Sequence, residues 1–91
     1  MDRLFWIFIP MTRVKDETTK KRIEQLGKRM REIRIAKGYT NYENFAYEHN
    51  IPRPQYGRYE RGEDLKFSSL MKVLKGFDMT LQEFFSEGFD D

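Results

Sequence analysis

Between Thr18 and Lys37 the apolar residues Ile23, Leu26, Met30, Ile33 and Ala36 recur every three or four positions, with charged side chains filling the faces between them. That period predicts one amphipathic helix with a single buried stripe. Lys37 and Gly38 end it, a cation for the negative end of the helix dipole and a residue free to take the left-handed cap. The next stretch, TNYENFAYEHN, offers Thr40 with Glu43 three residues on, a capping-box spacing, with Asn41 as the alternative cap. It predicts a short helix over about 41–49 with Phe45 and Ala46 toward the core, followed by a turn at Asn50, a residue that tolerates left-handed backbone.

NIPRPQYGRYERG follows, residues 50–62. Proline is at home in a first helical turn, where its missing N–H has no partner to lose, so Pro52 and Pro54 predict a third helix over 53–61 that Arg61 and Gly62 stop. After GEDLKF, Ser68 or Ser69 is expected to cap a fourth helix burying Leu70, Met71, Val73, Leu74 and Phe77. Thr80 with Glu83 opens a fifth carrying Leu81, Phe84 and Phe85, before a frayed acidic end, EGFDD. No hairpin signal or internal repeat appears. The predicted fold is an all-α bundle of five helices with short connections.

Composition narrows the picture. Ninety-one residues make one small domain. With no cysteine and the single His49, neither a disulfide framework nor a zinc centre is expected, and neither cofactor nor catalysis. His49 reads as a half-buried turn residue, and a cytoplasmic protein is the plain expectation. The net charge of +2 averages unlike segments: residues 13–37 carry +6 and residues 76–91 carry −5. A basic front suggests a polyanion partner. Much of the basic run is nevertheless the solvated face of the first helix, with Glu24 and Glu32 interleaved.

The apolar run Leu4–Ile9 is too short to span a bilayer, which needs about 20 residues. Either Met11 is the physiological start, or residues 1–17 form an arm that packs on a partner subunit. The domain proper is then 18–86, with 87–91 an acidic tail.

On the third helix, steps of about 100° per residue put Tyr56, Tyr59 and Glu60 on one face. Pro54, Gly57, Arg58 and Arg61 fall broadly opposite, with Arg53 and Gln55 flanking at the N-terminal end. The tyrosines are expected in the core. The small residues Pro54 and Gly57 either leave a smooth outward stripe for close approach to a groove, or Gly57 fits a tight helix crossing. Arg53 and Arg58 can each pair with guanine O6 and N7, and Gln55 with adenine, as base contacts. The N-terminal N–H groups of the second helix suit a phosphate, helped by Asn41, Tyr42 and Asn44, with Arg61 and Lys66 adding charge near the backbone. Glu63 and Asp64 would repel it.

Two short helices joined by a tight turn, between a basic first helix and two apolar closing helices, describe a helix-turn-helix domain. NYENFAYEHNIPRPQYGRYERG resembles the signature of the Xre/Cro phage-repressor-like helix-turn-helix family, with its apolar-Ala pair Phe45 and Ala46 and a recognition helix ending in Glu60, Arg61 and Gly62. SSLMKVLKGFDMTLQEFF is similar to that family's fourth and fifth helices, so the resemblance covers about residues 21–86. It implies a five-helix lambda-repressor-like fold and an ion pair between Arg34 and Glu60 linking the first and third helices. It also implies sequence-specific binding of double-stranded DNA by a homodimer, and transcription regulation. The family usually has Gln where Tyr42 stands, Ser or Thr where Pro52 and Pro54 stand, and Gly where Asn50 stands. The competing expectation is a protein-interaction module, an antitoxin or adaptor, built on the same fold.

Overall fold

The structure, a computed structural model, describes residues 15–90. The apolar run, the alternative start at Met11 and most of the expected arm lie outside the described residues, as does Asp91. Among the described residues the chain is helical with no strand. A π-helical turn, Lys15–Thr19, leads into α1 (Lys20–Ala36), followed by α2 (Tyr42–Glu48), α3 (Arg53–Glu60), α4 (Phe67–Phe77) and α5 (Leu81–Phe84). No described helix is long and apolar enough to cross a membrane.

The five elements and their order match the apolar periodicity, and the differences lie at ends and edges. α2 is capped by Asn41, not Thr40: its Oδ1 accepts from the Glu43 and Asn44 N–H groups at 2.7 and 3.1 Å. α4 starts before either serine. The Lys66 carbonyl already accepts from the N–H groups of Ser69 and Leu70, both at 3.0 Å, so the helical ladder begins two or three residues earlier than a serine cap would set it. Met71 is 41% exposed because Leu70, Val73, Leu74 and Phe77 complete the buried stripe and leave it a quarter-turn outside. Ala36 and Phe85 are also exposed. Thr80 and Glu83 form the expected reciprocal capping box on α5, a single turn.

Phe45 is the hub of the core. Its ring centroid lies 4.6 to 5.2 Å from those of Tyr39, His49, Tyr56 and Phe77, so the 39–41 connection, α3 and α4 all close on α2 through one side chain. His49 is half-buried there, as expected of a turn residue. Asn50 and Gly62 both take positive φ, 58° and 94°, at the ends of α2 and α3. Asp78 does so as well, at 58°, where the sequence carries no glycine to announce it; Met79 N–H closes that end of α4 on the Leu74 carbonyl at 3.1 Å.

One face of α1 clasps the chain that follows α4. Arg29 donates through Nε to the Phe84 carbonyl at 2.7 Å and through Nη2 to that of Glu83 at 3.0 Å, with its guanidinium 5.7 Å from the Phe84 ring centroid. Arg22 donates to the Phe89 carbonyl at 3.0 Å, and Gln25 to that of Asp90 at 3.1 Å.

Candidate nucleic-acid interface

The turn between α2 and α3 is built from backbone. His49 N–H donates to the Phe45 carbonyl at 3.1 Å and Ile51 N–H to that of Ala46 at 2.9 Å. Left-handed Asn50 reverses the chain, and Ile51, 5% exposed, anchors it. Pro52 then flanks α3, and Arg53 and Pro54 occupy its first two positions, where the absent proline N–H costs no hydrogen bond.

α3 buries Tyr56, Gly57 and Tyr59 and leaves Arg53, Pro54, Arg58 and Arg61 exposed, with Gln55 half-buried. Arg53 and Arg58 are five residues apart, roughly 7.5 Å along the axis. Gly57 departs from the smooth outward stripe. A Cβ there would lie 2.8 to 3.0 Å from the ring carbons and hydroxyl of Tyr42, so its lack of side chain serves the crossing of α2 on α3. Tyr42 is correspondingly half-buried against α3, its ring 6.3 Å from that of Tyr56.

The expected phosphate site at the start of α2 meets a competitor. Asn41 Oδ1 already satisfies two of the N–H groups on which that site relied, and α2 is only seven residues long. Asn41 and Asn44 stay exposed. Lys66 is exposed beside Gln55 in a shallow concavity that Tyr59, Asp64, Leu65 and Ser69 complete. Arg58 Nε lies 3.7 Å from Glu63 Oε1, with both side chains about half exposed.

Arg34 and Glu60 are brought together. Arg34 Nε and Nη2 donate to Glu60 Oε2 and Oε1 at 2.8 and 3.0 Å, and Nη1 donates to the Tyr39 carbonyl at 2.7 Å. Their side chains are only 5% and 8% exposed. The hydrogen bond to Glu60 raises the Arg34 pKa against the opposing effect of burial. This fork ties the C-terminal end of α3 to α1, while at the N-terminal end Arg53 is exposed and Gln55 half-buried. α1 comes close for a second reason: Gly27 packs against the backbone carbonyls of Tyr59 and Glu60.

The chain matches no family model, no curated protein and no solved structure. Among the described residues no group of His, Asp or Glu is placed to hold a metal ion.

The Tyr56 hydroxyl lies beside this ion pair, buried and without a hydrogen bond of good geometry. Burial first, then the neighbouring Glu60 carboxylate, pushes its pKa far above that of an ordinary tyrosine. In the unfolded chain it ionises near pH 10. Its contribution to stability is therefore complete below pH 10 and falls above it, by up to about 1.4 kcal/mol per pH unit, because the unfolded state then holds fewer protons. Tyr56→Phe is expected to remove that slope in urea melts between pH 9 and 11.5. At pH 7, where no hydrogen bond is lost, its stability should stay within about 1 kcal/mol of the wild type. Parallel pH profiles for the two proteins would contradict this assignment.

Proposed function

We propose that the protein binds double-stranded DNA sequence-specifically by laying α3 in the major groove. In this reading α2 and α3 form a helix-turn-helix of the Xre/Cro phage-repressor-like kind. The observation that carries it is the division of α3. Its inner face and C-terminal end are fixed by Tyr56, Tyr59 and the Arg34–Glu60 fork, while Arg53 and Arg58 are exposed, Arg58 with the half-exposed Glu63 nearby. Arg53 and Arg58 take guanine and Gln55 takes adenine. Asn41, Asn44, Arg61, Lys66 and the Tyr42 hydroxyl hold the phosphate backbone. A single helix reads few base pairs, so the working form is a two-fold dimer on a palindromic site, half-sites about 34 Å apart, acting as a transcriptional regulator.

Selection of bound sites from random duplex DNA tests this. The wild type should enrich a palindrome. Arg53→Ala and Arg58→Ala should each relax preference at different positions and weaken the selected site about 5- to 150-fold, the equivalent of 1–3 kcal/mol per lost bidentate pair. Arg61→Ala should weaken all sequences alike and flatten the salt dependence. Unchanged preference in both base-contact variants would remove the assignment.

A second reading, a protein-interaction module, draws on Phe67, 62% exposed one turn before the exposed Met71, and on the acids Glu63 and Asp64 beside α3. Salt separates the two, since phosphate contacts make log K fall steeply with log salt and an apolar contact does not.

A further inference from the structure

Away from the α2–α3 face, a cleft of about 390 Å³ opens between the first half of α1 and the chain after α5. Thr19, Arg22, Ile23, Leu26, Phe85 and Phe89 wall it. Arg22 contributes its alkyl stem, because its guanidinium is held by Gln25 Oε1 and the Phe89 carbonyl, both at 3.0 Å. The Phe85 and Phe89 ring centroids lie 4.8 Å apart with their planes tilted by 50°, yet Phe85 is 42% exposed. The lining is almost wholly apolar, so an apolar segment suits it and a charged one does not.

We propose that this cleft is the seat of residues 4–9 of the same chain, Leu4 to Ile9. Chemistry is the first argument: these six residues are an unbroken apolar run with three aromatic rings, and the cleft offers aliphatic side chains along one wall and two phenyl rings along the other. Reach is the second. Thr19, at one end of the cleft, lies one turn after the first described residue, and the five residues 10–14 that join Ile9 to Lys15 extend up to roughly 17 Å. Pro10 opens that link and favours a reversal. From Thr19 to Leu26 the cleft follows α1 for roughly 10 Å, room for a short apolar segment. Tethering is the third. A short link holds the run at an effective concentration on the order of millimolar, well above that of a second copy in micromolar solution. None of the residues assigned to DNA lines the cleft, so the proposal stands apart from that reading.

Trp6 is the chain's single tryptophan and reports on this segment directly. In the full-length protein its emission should be blue-shifted and its quenching by acrylamide several-fold weaker than that of free tryptophan, equally at 1 and 100 µM. Phe85→Glu, at a side chain already part-exposed, should restore near-free quenching while the helical circular dichroism is unchanged. Should that variant lose helix, Ile23→Thr, on the opposite wall, carries the same readout. Three results would overturn the proposal. One is an indole quenched like free tryptophan in the wild type. The second is shielding that neither folded variant alters. The third is shielding that falls on dilution in step with dissociation of a dimer, which would give the seat to a second copy.

Discussion

Glu60→Ala is expected to remove about 3–5 kcal/mol of stability, because it leaves the Arg34 guanidinium buried with its charge uncompensated. Both Nε and Nη2 of Arg34 lose their acceptor, and a side chain 5% exposed has no route to water without opening the α1–α3 contact. A domain of this size has a margin of about 5–15 kcal/mol, so the variant should melt far earlier, by more than 12 °C at roughly 4–8 °C per kcal/mol. The double variant Arg34→Met/Glu60→Leu should recover most of the loss, since the attraction within the wild-type pair is largely offset by the desolvation of both ions. The fork is thus expected to fix the angle of α3 more than to stabilise the fold. Thermal and urea melts of the three variants decide it: a Glu60→Ala protein within 1 kcal/mol of wild type would show that Arg34 finds other acceptors. If α3 also binds DNA, the double variant should fold well and still discriminate sequences less sharply.

Gly27→Ala is the second large effect, and here intrinsic preference points the wrong way. In the middle of α1, alanine should add about 1 kcal/mol of helix stability. The new Cβ would, however, lie 2.9 Å from the Glu60 carbonyl oxygen and 3.1 Å from its carbon, and closer still to the Tyr59 carbonyl oxygen. These are main-chain atoms in the last turn of α3 and have no rotamer to give. Relief requires α1 to back away from α3, which pulls on the fork seven residues along the same helix. Overpacking of this kind costs about 1–3 kcal/mol and more against a rigid neighbour, so a net loss of about 2 kcal/mol is expected. Lys28→Ala, one residue on and exposed, is the control and should stay within about 0.5 kcal/mol. A Gly27→Ala protein that melts at or above the wild-type temperature would show that the crossing relaxes freely.

The helical elements were legible because each is amphipathic and bounded by residues with few conformational choices: glycine after α1 and α3, two prolines opening α3, a Thr–Glu box opening α5. The tyrosines of α3 were legible by the same period. Boundaries failed where backbone did the work that a side chain was expected to do. The start of α4 is set by the Lys66 carbonyl, not by a serine, and the end of α4 by an aspartate in left-handed conformation. The choice between Thr40 and Asn41 turned on which oxygen reaches two N–H groups at once. Gly57 was ambiguous in sequence, since a missing side chain looks the same whether it faces a groove or a neighbouring ring. Gly27 gave a signal in its mid-helix position, yet only the distance to α3 shows its use. The Arg58–Glu63 contact and the exposure of Phe67 depend on loop geometry that periodicity does not carry.

The hydrogen bonds described from Arg22, Gln25 and Arg29 to the tail end on main-chain oxygens, those of residues 83, 84, 89 and 90, and Arg29 adds a longer ion pair to Glu87 at 3.8 Å. A main-chain oxygen is supplied by any of the twenty amino acids. The demand for particular chemistry therefore falls on one partner alone. Replacing Glu87 would remove only the long, exposed ion pair to Arg29 and leave these main-chain bonds in place, whereas replacing any of the three donors on α1 loses the bonds it makes. Apart from the Glu87 carboxylate, the tail can change its charge, and with it whatever it meets, while its main-chain bonds keep it fastened to the domain.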